Sequence, residues 1–305
     1  MKQRTFLHGM LALALMSLAW GASAQQVTQS STYFLSPLPF NPAYSGLSNQ
    51  LNVRSLTRVQ WVGWGGAPAS QMISVDAPFL RKFAGMGLTV NQDRVGARST
   101  STAMASGAAH VKLSEGWTLS MGISGGMRFH SYDFRNLRAD ATSDDLYQVT
   151  FQDWAPAFGA GFFATSEEAY VGYSVPQILT QALSDSADAD ELQRHHHVMG
   201  GLKRDLASGV KLQYGALLKA TADAPPALDV QAMIQYHDEL GVGGHFRWGE
   251  SVGLLMSLKL SEAVSAVYLM ELPFNRLRTQ NLGTHELALR WNVKSPQMVA
   301  NSRFF

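Results

Sequence analysis

The sequence predicts an all-β fold: a transmembrane, antiparallel β-barrel of about 14 strands, with short periplasmic turns and longer extracellular loops. Three observations predict it. Apolar and polar side chains alternate along nearly the whole chain after the N-terminus, which is the period of a strand and not of a helix. Several alternating segments run to ten residues or more, near the ~9–11 that a tilted strand needs to cross a bilayer. Aromatic residues gather at segment ends, at Trp61, Trp64, Phe79, Trp117, Phe129, Trp248 and Trp291, where an interfacial girdle belongs. Composition agrees. The 305 residues are 46% apolar and 15% charged, against about 25% charged in soluble proteins. With 24 basic and 23 acidic residues there is no excess of positive charge to suggest nucleic-acid binding. No cysteine is present, so no disulfide holds the fold.

Residues 1–24 read as a signal peptide. Lys2 and Arg4 precede an apolar run from Met10 to Leu18, and Ala22-Ser23-Ala24 sets small residues at positions −3 and −1 of a cleavage site before Gln25. No cysteine follows that site, so a lipid anchor is not expected. Residues 25–50 form a periplasmic N-terminal segment, a plug or docking strand. The barrel itself spans residues 51–294, and residues 295–305 form a periplasmic tail ending Arg303-Phe304-Phe305.

Strands are expected at 51–62, 69–79, 85–92, 102–113, 117–130, 155–165, 168–175, 194–203, 209–219, 227–237, 239–248, 251–260, 262–272 and 284–294. The clearest places Trp117, Leu119, Met121, Ile123, Met127 and Phe129 on one face and Thr118, Ser120, Ser124, Arg128 and His130 on the other. The connections check the count. Ser114 to Gly116, Ser166-Glu167, Arg204 to Ser208, Asp238 and Ser261 are short and fall on one side. The long links 131–153, 176–193 and 273–283 all fall on the other. An error of one strand would break that order, so the number is even and both barrel ends return to the periplasm.

If the apolar faces meet lipid, Arg54, Arg58, Gln60, Arg128, His130, Asp229, His245, Arg247, Glu286 and Arg290 point inward. Charges of both signs inside a barrel pair, because an unpaired buried charge is costly. They are expected to form a luminal polar network that stiffens the wall or docks the N-terminal segment. No catalytic, cofactor-binding or metal site is expected. His195-His196-His197 cannot all face one ion, because successive strand side chains diverge. Asp185, Asp188, Asp190 and Glu191 lack the glycine-centred spacing of a calcium loop. A barrel hydrolase would need groups such as His130, His245 and Glu286 near the outer rim.

The chain also carries an ordered set of short elements. Asn41-Pro42-Ala43-Tyr44-Ser45-Gly46 is followed by Arg58-Val59-Gln60-Trp61, Gly66-Ala67-Pro68 and Ser74-Val75-Asp76-Ala77-Pro78. Then come Gly85-Met86-Gly87, Asp93-Arg94-Val95-Gly96, Tyr170-Val171-Gly172-Tyr173-Ser174-Val175-Pro176 and Thr284-His285-Glu286-Leu287. In this order and spacing they resemble the PorP/SprF family of the type IX secretion system, although Thr284 stands where that family usually has Ser. The resemblance implies a cell outer-membrane protein, embedded in outer-membrane lipid, that takes part in secretion or surface attachment of cargo such as gliding adhesins. Its implied partners are periplasmic ring or peptidoglycan-binding subunits of the system and the C-terminal signal domain of the cargo. The alternative is an outer-membrane diffusion channel or hydrophobic-solute transporter.

Within the motif, Pro42 fixes its own φ and biases Asn41 toward an extended shape, while Gly46 permits a turn. Asn41, Pro42, Ala43, Tyr44 and Gly46 are therefore expected to form an N-terminal docking motif with Tyr44 as anchor. Gly85 and Gly87, two apart in a strand, leave one face bare for it.

Overall fold

The computed structural model describes residues 30–48, 50–80, 83–113, 116–133, 150–179, 193–222, 224–274 and 281–293. The expected signal peptide, the acidic run at 185–191 and the expected tail at 295–305 lie outside the described residues. Fourteen strands form the wall: β1 (Leu51–Val59), β2 (Ala69–Phe79), β3 (Ala84–Val95), β4 (Arg98–Lys112), β5 (Thr118–Asp133), β6 (Thr150–Thr165) and β7 (Ala169–Gln177). They continue with β8 (His195–Ala207), β9 (Val210–Thr221), β10 (Ala224–Tyr236), β11 (Leu240–Arg247), β12 (Ser251–Lys259), β13 (Val264–Pro273) and β14 (Thr284–Val293). Each strand pairs antiparallel with its chain neighbours, and β1 closes on β14 from Leu51↔Val293 to Val59↔His285. Closure leaves no edge with unpaired backbone groups, which is what lets a sheet stand in hydrocarbon.

Every expected strand is present, and the alternation is realised as two faces. Met121, Ile123 and Met127 of β5 lie on the outer surface, with Ile123 71% exposed, whereas Ser120 and His130 are buried within. Val230 and Ile234 of β10 face out while Asp229 and Gln231 face in. Trp64, Phe79, Trp154, Trp248 and Trp291 are exposed near strand ends.

Several strands extend beyond their expected bounds. β4 begins at Arg98, β5 continues to Asp133, β6 begins at Thr150 and β8 continues to Ala207. In β4 the added residues Arg98, Ser99 and Thr100, and in β8 Arg204 and Asp205, are polar on both faces, so they keep the ladder but carry no alternation. The expected turn Arg204 to Ser208 therefore contracts to Ser208-Gly209, with Gly209 at φ +74. β1 conversely stops at Val59, before a bend in which Trp61 takes φ 48.

The two ends differ. One carries only short connections: 80–83, 113–117, 166–168, 208–209, 237–239 and 260–263. The other carries the long links 60–68, 134–149, 178–194 and 274–283. Residues 30–48 lie inside the wall and supply much of the core. Tyr33, Phe40 and Ala43 pack with Phe163, Met199 and Leu217. Phe34 and Leu35 cover Met233, Leu255, Val267 and Leu269, and Leu35 also meets Leu56, Met72 and Ala288.

Candidate functional site

The site is the filled lumen, and it has two halves. At the long-link end, charged side chains from six strands converge. Arg58 of β1 binds Glu271 of β13 at 2.7 Å and Glu286 of β14 at 2.8 Å. Arg247 of β11 binds Asp229 of β10 at 2.5 Å, and Lys219 of β9 reaches the other oxygen of Asp229 at 2.8 Å. His245 stands between the two groups, Nδ1 3.0 Å from Glu271 and Nε2 3.5 Å from Asp229. Three cations thus face three carboxylates, all of them buried. Their mutual balance is what makes this burial tolerable.

The first described residues of the chain are tied into that cluster. Ser30 Oγ donates to Glu286 at 2.8 Å, and the Ser31 backbone N–H donates to the same carboxylate at 3.1 Å. The Thr32 N–H donates to it as well, at 2.9 Å. Ser31 Oγ donates to Glu271 at 2.5 Å and accepts from Arg247 at 2.8 Å and Arg58 at 3.2 Å. Small hydroxyl side chains suit the place: Ser31 bridges Glu271 to Arg247 and Arg58, while the Ser30 and Thr32 hydroxyls both reach Glu286.

At the short-turn end the Asn41–Gly46 motif forms a 3-10 turn, Pro42–Tyr44, capped by Asn41, whose Oδ1 accepts from the Ala43 N–H at 3.0 Å. Asn41 Nδ2 donates to the Phe162 and Tyr173 carbonyls of β6 and β7, at 2.9 and 3.3 Å. A side chain on Gly122 would strike Ala43, and one on Gly161 would strike Asn41. Those glycines let the turn lie directly on the wall. Gly46, at φ +66, lies against Gly85, and Leu38 covers Gly87. The Gly46 N–H donates to Asp76 at 3.1 Å, and Asp76 also binds Arg54. Arg54 stacks over the Tyr44 ring, 5.4 Å from its centre, and Tyr44 meets Phe163 edge-on at 5.6 Å.

The sequence-derived positions thus fall in distinct places. Arg58, Asp229, His245, Arg247 and Glu286 lie in the long-link cluster, and Arg54 lies in the short-turn half. Arg290 is half-buried directly opposite Arg54 in the β1–β14 register. Arg128 and His130 lie on β5 apart from both, bonded to Thr102 at 3.3 Å and Thr100 at 3.1 Å. Gln60 stands beyond the end of β1, its backbone N–H donating to Pro68 at 2.9 Å. His195 and His197 are buried in the wall's inner face, whereas His196 faces outward and meets the Tyr173 hydroxyl at 2.8 Å.

Four partners escaped the sequence reading: Asp76, Lys219, Glu271 and the Ser30–Thr32 run. Asp76 was signalled by Ser74-Val75-Asp76, which alternates. Lys219 and Glu271 were not, because their inward neighbours Leu217, Val267 and Leu269 are apolar and the strands read as greasy on both faces.

The family profile described as "Type IX secretion system membrane protein PorP/SprF" matches residues 22–291. The chain belongs to the PorP/SprF family. No curated protein matches it in sequence. Among solved structures, the Acinetobacter baumannii outer membrane protein Omp33 is similar at 10% identity and TM-score 0.50, over 82% of this chain and 100% of that one. A channel described as the CymD monoaromatic hydrocarbon channel is similar at 7% identity and TM-score 0.52, over 91% and 96%. These likenesses show the fold, an outer-membrane β-barrel. Such barrels keep short turns in the periplasm and long loops outside. The long-link end of this PorP/SprF barrel is therefore extracellular, and the Asn41–Gly46 turn lies toward the periplasmic mouth.

Proposed function

We propose that this PorP/SprF barrel serves type IX secretion as a closed receptor that holds protein partners at its two ends and neither conducts solutes nor catalyses a reaction. The observation that carries this reading is the lumen packed by residues 30–48 and locked from Ser30 to Gly46 by bonds to strands on every side. A diffusion channel needs a water-filled path, and here the path holds Tyr33, Phe34, Leu35, Phe40 and Tyr44. On this reading the links 134–149 and 178–194 meet the C-terminal signal domain of an exported protein such as an adhesin. The periplasmic turns and the Asn41–Gly46 turn meet ring or peptidoglycan-binding subunits.

Planar-bilayer recording of the purified protein tests the closed lumen. The native barrel is expected to stay silent, and a Gly85→Val variant, whose side chain would collide with Ser45, is expected to show discrete openings. A steady conductance from the native protein would instead support the channel reading.

A further inference from the structure

We propose that the periplasmic mouth of the barrel holds a binding site for one tyrosine side chain of a periplasmic polypeptide. The proposal deepens the receptor reading above and rests on it for the choice of a polypeptide. A cavity of about 200 Å³ enters the lumen beside the β6–β7 turn. Phe34, Met233 and Leu255 form its apolar end, Tyr170 forms one wall, and Gln231 supplies a polar group. Glu167, Glu168 and Lys203 stand on the turn side. Neither Arg58, Asp229, Glu271 nor Glu286 lines it, so the cavity ends below the long-link cluster and leaves the two mouths separate.

Size limits the occupant to about one ring, because a cavity of ~150 Å³ takes up benzene and sites for drug-sized molecules begin near ~300 Å³. The walls favour an aromatic ring. Tyr170 stacks on Phe163 with centres 5.5 Å apart and planes 10° apart, and a Cβ on Gly201 would stand 2.5 Å from the Tyr170 ring. Gly201 thus lets that ring lie against the wall and not across the cavity. Phe34 and the Met233 thioether offer ring and sulfur contacts to an incoming aromatic group. Gln231 selects the substituent on the ring. It is 7% exposed, and among the described residues its Oε1 has no hydrogen-bond partner. A phenol hydroxyl can donate to that oxygen, or accept from the amide nitrogen if the amide is turned, whereas a phenylalanine ring does neither. The mouth selects the source. Glu167 and Glu168 are exposed there beside Lys203, and a free phenol leaves these charges unused. A polypeptide presents a polar peptide group on either side of its ring and meets them.

Saturation-transfer NMR on the purified barrel in detergent micelles tests this, with p-cresol and the end-blocked tripeptides Gly-Tyr-Gly and Gly-Phe-Gly as probes. Thr165 lines the mouth, and its hydroxyl makes only long contacts of 3.3 and 3.4 Å, so Thr165→Trp closes the cavity and shows what the micelle alone takes up. The native barrel is expected to bind Gly-Tyr-Gly about two- to tenfold more tightly than Gly-Phe-Gly, the worth of one net hydrogen bond, and more tightly than p-cresol. Gln231→Leu is expected to remove the difference between the peptides, and Thr165→Trp to remove binding of all three probes. Compact gel migration before heating checks that both variants fold; if Thr165→Trp does not, Gln231→Leu decides alone. Equal binding of the two peptides by the native barrel, or a preference that survives in Gln231→Leu, overturns the proposal. Binding of p-cresol as tight as that of Gly-Tyr-Gly overturns the polypeptide source. A barrel that binds none of the probes also overturns the proposal, while the receptor reading stands or falls separately on the bilayer recording.

Discussion

Arg58 holds two carboxylates with one guanidinium, and among the described residues neither Glu271 nor Glu286 has another arginine at comparable distance; Arg247 stands 3.9 Å from Glu271. Removing Arg58 leaves two buried anions with reduced compensation, a change of the kind that costs about 3–5 kcal/mol. Arg58→Ala is expected to lower the temperature at which the barrel loses its compact migration on a gel, and to do so by more than Glu271→Gln. The glutamine variant removes one anion but keeps Arg58 paired with Glu286 and Arg247 paired with Asp229. Equal shifts for the two variants would mean that the cluster is not the charge-balanced unit described. Arg54 makes the complementary case. It sits opposite Arg290, a like-charge pairing that opposes the ladder, and Asp76 together with the Tyr44 ring offsets it.

The wall strands and the luminal segment read differently from sequence, for a physical reason. The inner faces of β5, β10 and β14 are mostly polar, with Met233 and Ala288 the apolar exceptions that meet Phe34 and Leu35, so their alternation is sharp. β9 and β13 divide lipid from the apolar body of residues 33–40, so Leu217, Val267 and Leu269 blur the period and hide Lys219 and Glu271. The segment itself has no period, because its shape comes from one 3-10 turn and from contacts with many strands. What the sequence did display was part of its footprint, Gly85 and Gly87, to which the structure adds Gly122 and Gly161 on the inner faces of their strands. That footprint makes a contrast between two glycines of one strand. Gly122→Val drives a side chain into Ala43, whereas Gly125 lies on the lipid side, where a Cβ meets only Phe158 at 3.5 Å. Gly122→Val is expected to expose residues 30–48 to protease in detergent micelles, and Gly125→Val to leave them protected. Matching digestion patterns would show that the segment does not depend on its bed of glycines.

At the scale of the whole barrel, the apolar belt and the closed ladder fix the molecule in the outer membrane, and the packed lumen separates its two mouths. A molecule of that kind can bind on one side without disturbing the other, since each mouth is anchored by its own half of the polar network: Arg58, Glu271, Glu286 and Arg247 outside, Arg54 and Asp76 inside. The receptor reading then makes a two-sided prediction for recovery of partners from solubilised envelopes. Shortening the 178–194 link is expected to lose the exported protein and keep the periplasmic components. Reversing the charges of Glu167 and Glu168 in the β6–β7 turn, where the Glu168 carboxylate is exposed and paired with the exposed Arg204, is expected to lose periplasmic components and keep the exported protein. Both variants leave the ladder and the luminal cluster untouched, so their barrels should melt as the native one does. Loss of both sets of partners from either change would mean that the ends communicate, and a rigid plug of the geometry seen here gives no route for that.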